Sequence, residues 1–294
     1  SIDDAIHTAI SRASKTLRCD SASDRLRLVE HVAQIATDEH CLQLSPPDLT
    51  PLVADFARAD GTSAFRRHRA EVFTSPRVLD AEERLLTAAT TTNAPRIDAH
   101  ATTTHLVHQM AELGLSNDQR AAVQAIATSG RDVDVLVGPA GSGKTRTLQA
   151  LRSAWEDAFG PGSVVGLTPS ATAAHELGEA LGIDCENTAK WLHETTGSGS
   201  QRPTDALDAR YRLRPGQLLI VDEASLAGTL TLDTLTRQTQ AAGAKLLLVG
   251  DHRQLSSVDA GGGFALLATD TDAVELTSLW RFDNPWEATA GQHL

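Results

Sequence analysis

Short apolar runs alternate with amphipathic stretches in the part of the chain that follows residue 114. Apolar positions three or four apart predict helices over 145–159, 171–181 and 230–242. The apolar runs between and around these helices lie at 133–137, 164–167, 217–221, 245–249 and 273–276. Short strands that alternate with helices in this way predict an α/β fold, in which helices flank a parallel sheet.

The first 114 residues have helical periodicity without such runs, which predicts a mostly α-helical N-terminal region. Ser75-Pro76 is a favourable helix start, because a capping hydroxyl precedes a proline at the first helical position. The threonine-rich stretch at 90–95 is typical of a linker. The predicted helices of this region cover 2–17, 25–37, 75–89 and 97–113. We therefore expect two domains, at 1–114 and 115–294.

Composition excludes several classes of protein. The chain has 294 residues, of which 41% are hydrophobic and 22% charged, as in a folded protein. No apolar run is long enough to span a bilayer, and the start has no signal-peptide pattern. Its three cysteines have no CxxC spacing, as expected of reduced thiols. These features predict a cytoplasmic protein with no membrane partner. The net charge of −12 counts against non-specific binding of duplex DNA.

A phosphate-binding motif follows the first predicted strand and opens the first helix of the α/β region. Residues 138–145 match G-x-x-x-x-G-K-[ST] in full. The glycines allow successive backbone N–H groups to surround a phosphate, while Lys144 reaches the β- and γ-phosphates and Thr145 binds Mg²⁺. The alternative is a glycine-rich turn without a ligand. The predicted ligands are ATP and Mg²⁺, held by Gly138, Pro139, Ala140, Gly141, Ser142, Gly143, Lys144 and Thr145.

Two adjacent carboxylates end the apolar run at 217–221. At the carboxyl end of a strand, Asp222 can hold Mg²⁺ and Glu223 can polarise an attacking water. The alternative is an acidic pair at an ordinary strand–loop junction. Together with the phosphate motif, the pair predicts a P-loop NTPase.

Five further segments resemble motifs of the RecD-like superfamily 1 DNA helicases. More narrowly, they resemble the helicase region of conjugative relaxases of the TraI/TrwC kind, in an actinobacterial-looking version. The segments are LSNDQ at 115–119, LTPSATAA at 167–174, NTAKWL at 187–192, GDHRQL at 250–255 and WRF at 280–282.

This resemblance implies the first, RecA-like motor domain of a bacterial enzyme that couples ATP hydrolysis to translocation on single-stranded DNA. It assigns adenine recognition to Gln119, a further nucleotide contact to Arg146, and catalytic roles beside Lys144 and Glu223 to Gln254 and Arg281. The DNA contacts that it implies are Thr168, Pro169, Ser170, Trp191 and His252. Since only 13 residues follow Arg281, we expect the second motor domain to be absent and the remaining domains of the polypeptide to be partners.

Several of these residues have a structural alternative. Ser116 and Gln119 also fit a capping box, Trp191 fits a packing residue, Gln254 a turn and Arg281 a surface ion pair. For the whole chain, two other functions stay open. One is a P-loop ATPase that does not act on DNA, and the other is a DNA-binding or docking module of a conjugation protein that does not hydrolyse ATP.

Overall fold

The computed structural model describes residues 21–44, 58, 73–98, 113–197, 209–251, 253–254 and 262–277. Contacts between Cα atoms divide the chain into two compact units, Ser1–Asp80 and Ala81–Leu294. The domain boundary expected between residues 114 and 115 stays a prediction.

The described residues of the first unit include a long helix and a two-stranded antiparallel sheet. Helix α1 (Ala22–Glu39) covers the predicted helix at 25–37, and the predicted helix at 2–17 lies outside the described residues. Strand β1 (Leu42–Gln43) pairs with β2 (Phe73–Thr74). Helix α2 (Pro76–Thr90) starts as predicted, with the Ser75 hydroxyl accepting a hydrogen bond from the Val78 N–H at 3.3 Å.

The second unit is built on a six-stranded parallel sheet with the order β5-β4-β6-β7-β3-β8. Its strands are β3 (Val133–Val137), β4 (Val164–Thr168), β5 (Asp184–Asn187), β6 (Leu218–Val221), β7 (Lys245–Gly250) and β8 (Val274–Glu275). Its helices are α3 (Asn117–Thr128), α4 (Lys144–Phe159), α5 (Ala171–Leu181), α6 (Thr188–Thr196), α7 (Thr229–Ala242) and α8 (Gly263–Asp270). The predicted α/β fold with a parallel sheet is confirmed.

Two apolar layers cover the two faces of this sheet. Helices α3, α4 and α5 cover one face, where Leu148 and Trp155 are completely buried. Helices α2, α7 and α8 cover the other face, where Leu85 and Leu235 are completely buried. Because the four central strands are almost entirely buried on both faces, their sequences are mostly apolar, and this made them predictable.

The predicted linker at 90–95 is instead docked on the α/β unit. The Ala94 N–H donates to the Gly130 carbonyl at 3.0 Å, and the Ile97 N–H donates to the Ala127 carbonyl at 2.8 Å. Ile97 is buried, and neither it nor Asp98 is helical, so the helix predicted from residue 97 does not begin there. Residues 99–112 lie outside the described residues.

A buried ion pair joins the amino ends of two central strands. Lys245 Nζ lies 2.7 Å from Asp134 Oδ2, and both side chains are almost completely buried. The ammonium also donates to Ser129 Oγ and to the Arg131 carbonyl, each at 2.8 Å. Burial lowers the pKa of Lys245, while the charge of Asp134 opposes this shift. The pair lies at the end of the sheet opposite to the phosphate motif.

Across the described ranges, no helix combines the length and the apolar character that a membrane crossing needs. The cellular location stays a prediction.

Candidate nucleotide-binding site

The phosphate motif forms a tight loop between the carboxyl end of β3 and helix α4. The Gly138 N–H donates to the Gly250 carbonyl at 3.0 Å, so the loop begins against the end of β7. The Ser142 N–H donates back to the Pro139 carbonyl at 3.2 Å. Gly141 and Gly143 have φ angles of +83° and +82°, which side chains disfavour. The two glycines therefore let the loop close over the start of the helix.

The interior of this loop has no room for another side chain. A Cβ atom on Gly138 would lie 2.5 Å from Ser142 Oγ and 3.3 Å from Lys144 Cγ. Ser142 is completely buried, and its hydroxyl has no hydrogen-bond partner among the described residues. A backbone cradle with a buried polar atom of this kind fits an anionic ligand such as a nucleotide phosphate.

Lys144 is the first residue of α4 and lies across the loop. Its Nζ donates to the carbonyls of Gly138 at 2.6 Å and Pro139 at 3.1 Å. Burial lowers the pKa of Lys144, and the negative charges of Asp222, Asp251 and Glu223 oppose this shift. The ammonium is thus held by neutral carbonyls within the field of three carboxylates.

The Asp222-Glu223 pair lies beside Lys144, at the carboxyl end of β6. The Asp222 N–H donates to the Leu167 carbonyl at 2.9 Å, which fixes the pair at the end of β4 as well. Burial raises the pKa of Asp222, opposed by the hydrogen bond from the Glu223 N–H at 2.9 Å and by the Lys144 charge. A half-buried carboxylate at this edge can hold a cation.

Glu223 has strained backbone geometry. Its φ of +53° and ψ of +36° lie in the left-handed region, and no other residue except glycine has a positive φ in the described part of the chain. Its side chain is exposed, in contrast to the half-buried Asp222. Strain of this kind concentrates at functional sites. It therefore supports a functional role for Glu223.

A third carboxylate, Asp251, was not among the predicted site residues. It directly follows β7, is buried, and accepts hydrogen bonds from the Arg253 N–H and from Gln254 Nε2, each at 3.0 Å. The predicted catalytic residue Gln254 is thereby held at the same edge of the sheet. The signal for Asp251 was its position just after an apolar run, which is the position that identified Asp222.

Gln119 lies beneath the loop. Its Oε1 accepts a hydrogen bond from the Ser116 N–H at 3.0 Å, which confirms the capping box. Its Nε2 donates to the Ser142 carbonyl at 3.1 Å, and the side chain is almost completely buried. Adenine recognition by Gln119 stays a prediction.

The remaining nucleotide contacts flank the loop. Thr145 and Arg146 are exposed on the first turn of α4, Ala140 is exposed at the loop, and Pro139 is half-buried. The structure thus places all predicted nucleotide residues around one loop. Arg281 lies outside the described residues.

The predicted DNA contacts divide into two groups. Pro169 and Ser170 are exposed between β4 and α5, on the edge of the sheet where Asp222 lies. Thr168 is buried, and its hydroxyl donates to the Ser170 carbonyl at 2.8 Å, so its side chain is not available to DNA. His252 lies outside the described residues.

Trp191 is a packing residue rather than a surface for base stacking. It is 2% exposed, its Nε1 donates to Gln238 Oε1 at 3.0 Å, and its ring lies 5.7 Å from that of Tyr211. A side chain with so little exposed surface offers no free face on which a base could stack. This arrangement therefore favours the packing alternative over base stacking.

Sequence comparison finds relatives of this chain among DNA helicases and conjugation proteins. It is 35% identical over 208 residues to the ATP-dependent RecD2 DNA helicase of Deinococcus radiodurans, covering 70% of this chain and 27% of that protein. It is 27% identical to a probable conjugal transfer protein TraA of Sinorhizobium fredii, and the match covers 80% of this chain and 22% of that protein. It is 31% identical to the multifunctional conjugation protein TraI of Escherichia coli, and the match covers 54% of this chain and 9% of that protein. The resemblance to RecD-like helicases and TraI-type proteins is confirmed, and the chain spans about a quarter or less of these relatives.

A protein-family model gives the family itself. Residues 114–294 match the model described as an AAA domain, which is more than half of the chain. The matched region contains the phosphate loop and the carboxylates Asp222, Glu223 and Asp251. The P-loop of the family implies nucleotide binding. The chain therefore belongs to the AAA domain family.

Proposed function

We propose that this chain is the ATP-hydrolysing motor domain of a bacterial DNA helicase or conjugative relaxase. In the intact protein it couples hydrolysis of Mg-ATP to translocation along single-stranded DNA, together with further domains of the same polypeptide. One observation carries the proposal: the phosphate loop places Lys144 within the field of Asp222, Glu223 and Asp251. A cation beside an anion-binding cradle, faced by carboxylates, is the arrangement that phosphoryl transfer requires.

Each of these residues has a defined task. The loop N–H groups and Lys144 bind the phosphates and stabilise the charge that develops on the γ-phosphate. Glu223 accepts a proton from the attacking water, and Gln254 contacts the γ-phosphate from the end of β7. Mg²⁺ supplies additional charge neutralisation when bound, and Thr145 and Asp222 are the residues that would hold it. Arg146 and Arg281 complete the contacts to the nucleotide.

Single-stranded DNA is the proposed track. Pro169 and Ser170 are exposed beside the carboxylate pair, so a strand that contacts them lies next to the nucleotide site. His252 follows Asp251 in the sequence and is the proposed link between the two ligands. The similarity to a protein named as an ATP-dependent DNA helicase supports this assignment. Because contacts to the DNA phosphates release counterions, we expect the affinity for DNA to depend strongly on salt, even though the chain is acidic.

Calorimetric titration with Mg-ATP tests the proposal. We expect the wild-type chain to bind Mg-ATP and Lys144→Ala to lose most of this affinity. Glu223→Gln should bind Mg-ATP normally but lose ATP turnover by about 100-fold or more. A single-stranded oligonucleotide should tighten nucleotide binding by the wild type. Binding of Mg-ATP that is unaffected by the oligonucleotide would favour an ATPase that does not act on DNA. Unchanged binding by Lys144→Ala would contradict the nucleotide site itself.

A further inference from the structure

Gly250, the last residue of β7, lies where three parts of the α/β unit meet. Its carbonyl accepts a hydrogen bond from the Gly138 N–H at 3.0 Å, at the start of the phosphate loop. A Cβ atom on Gly250 would lie 2.9 Å from Phe264 Cζ and 3.2 Å from the Ser225 nitrogen. The ring of Phe264 and the backbone of Ser225 therefore occupy the space that a side chain at Gly250 would need.

The two side chains proposed to act on the attacking water and the γ-phosphate leave the sheet on either side of this point. Glu223 is followed by a short 3₁₀ helix (Ala224–Leu226), whose last N–H donates to the Glu223 carbonyl at 2.9 Å. Gln254 is held at 3.0 Å by Asp251, which directly follows Gly250. The spacing between Glu223 and Gln254 therefore depends on how the 3₁₀ helix packs against Gly250.

The helix that carries Phe264 is fixed at its start. The Gly263 N–H donates to Thr229 Oγ1 at 3.1 Å, at the beginning of α7. A Cβ atom on Gly263 would lie 3.0 Å from this oxygen and 3.3 Å from Leu85 Cδ1, so the start of α8 packs tightly against α7 and α2. Phe264 itself is only 2% exposed. Because close-packed interiors transmit displacements, its ring limits how far the end of β7 and the 3₁₀ helix can move.

We propose that Phe264 is a positioning residue for ATP hydrolysis. Its ring holds the end of β7 and the 3₁₀ helix at the separation at which Glu223 and Gln254 act on the same phosphate. This inference rests on the proposed function, in which these two side chains serve hydrolysis. Phe264 is buried and acts through Gly250 and Ser225, so its loss should slow the chemical step more than it weakens nucleotide binding.

Two substitutions on α8 separate positioning from stability. Phe264→Leu keeps an apolar side chain but removes the end of the ring that reaches Gly250. Leu267→Ala is the matched control, because Leu267 lies one turn further along α8, is completely buried in the same apolar layer and is not among the atoms nearest to Gly250. Since a leucine-to-alanine change in a core is strongly destabilising, the control should lower the Tm at least as much as Phe264→Leu.

Calorimetric titration with Mg-ATP and a phosphate-release assay measure affinity and turnover, at a temperature at which all variants are folded. We expect Phe264→Leu to lower kcat by about 10- to 100-fold, since small displacements of reacting groups have effects of this size. Its affinity for Mg-ATP should stay within about twofold of the wild type. Leu267→Ala should keep the kcat of the wild type despite its lower Tm. An unchanged kcat in Phe264→Leu, an equal loss in both variants, or a loss of affinity without a loss of kcat would overturn the proposal.

A third variant, Glu223→Gln, tests the proposed function in the same assay. If it turns over ATP as fast as the wild type, or if the wild type binds no Mg-ATP, the proposed function is contradicted. If Glu223→Gln loses turnover and Phe264→Leu does not, the proposed function stands and only the positioning role fails.

Hydrogen exchange without nucleotide gives a readout that needs no activity. The Leu226 amide, which donates to the Glu223 carbonyl, should exchange faster in Phe264→Leu than in the wild type, because the 3₁₀ helix is no longer held against β7. Leu267→Ala should leave the exchange of this amide unchanged. Equal exchange of the Leu226 amide in Phe264→Leu and the wild type would overturn the positioning role.

Discussion

The left-handed backbone of Glu223 leads to a prediction in which two variants differ in stability although both lose activity. The left-handed conformation destabilises a residue that has a Cβ atom by about 1–2 kcal/mol, and it hardly destabilises glycine. Glycine in turn loses about 0.5–1 kcal/mol more conformational entropy on folding. Glu223→Gly should therefore be more stable than Glu223→Ala by about 0.5–1 kcal/mol, a rise in Tm of roughly 1–4 °C. Both variants remove the proposed base and should lose ATP turnover.

Thermal unfolding by calorimetry compares the two variants, and a phosphate-release assay measures their turnover. Glu83 supplies the matched control, because it is exposed in the middle of α2 and has ordinary helical geometry. There the order should be reversed, with Glu83→Gly less stable than Glu83→Ala by about 1 kcal/mol. If Glu223→Gly has a Tm equal to or below that of Glu223→Ala, no strain is stored at this position.

Three other predictions concern the packing around the sheet. Burial and the charges of Asp184 and Asp222 raise the pKa of Cys185 to about 11, so only about one thiol in a thousand is ionised at pH 8. At pH 8, alkylation of Cys185, measured by mass spectrometry, should be about 100-fold slower in the folded chain than in the unfolded chain. Its rate should increase as the pH rises toward 11. Equal alkylation rates in the folded and unfolded chains at pH 8 would refute this. Gly166→Ala would place a Cβ atom 2.3 Å from Cys185 Sγ and should reduce the free energy of unfolding by about 1–3 kcal/mol. A second substitution in the same chain, Cys185→Ala, should restore part of this loss. Additive losses in urea unfolding would show that the two residues do not interact. Lys245→Met removes the nearest cation from the buried Asp134, which keeps the Ser129 hydroxyl at 2.6 Å and Arg131 at 3.8 Å, and should cost about 3–5 kcal/mol. The double variant with Asp134→Leu should recover most of this loss, and no recovery in urea unfolding would mean that the loss does not come from the buried carboxylate.

The central strands and the phosphate loop could be predicted because their sequence signals are local. A strand buried on both faces is mostly apolar, and the glycine-lysine pattern of the loop is contained in eight consecutive residues. Strand β5 was missed for the opposite reason. It lies at an edge of the sheet, and its residues Asp184, Glu186 and Asn187 are polar. Only its hydrogen bonds to β4 define it.

Contacts between distant segments could not be predicted. The capping box of Gln119 is visible within four residues, but its hydrogen bond to the Ser142 carbonyl depends on how α3 packs below the loop. Similarly, the sequence around Trp191 fits either a stacking or a packing residue. The burial of its side chain, with Nε1 donating to Gln238, favours packing. The threonine-rich stretch at 90–95 resembled a linker because its anchoring bonds use backbone atoms, which carry no sequence signal.

The order of strands in the sheet also bears on synthesis of the chain at the ribosome. Strand β3, which leads into the phosphate loop, pairs only with β7 and β8, and both are translated long after it. Long-range pairing of this kind is slow, because the intervening chain must be closed into a loop first. Until Lys245–Gly250 has left the ribosome, the Gly138 N–H has no carbonyl to bind. The nascent chain therefore acquires its affinity for a nucleotide late, and nucleotide added during translation should stabilise only chains that already contain Val274–Glu275.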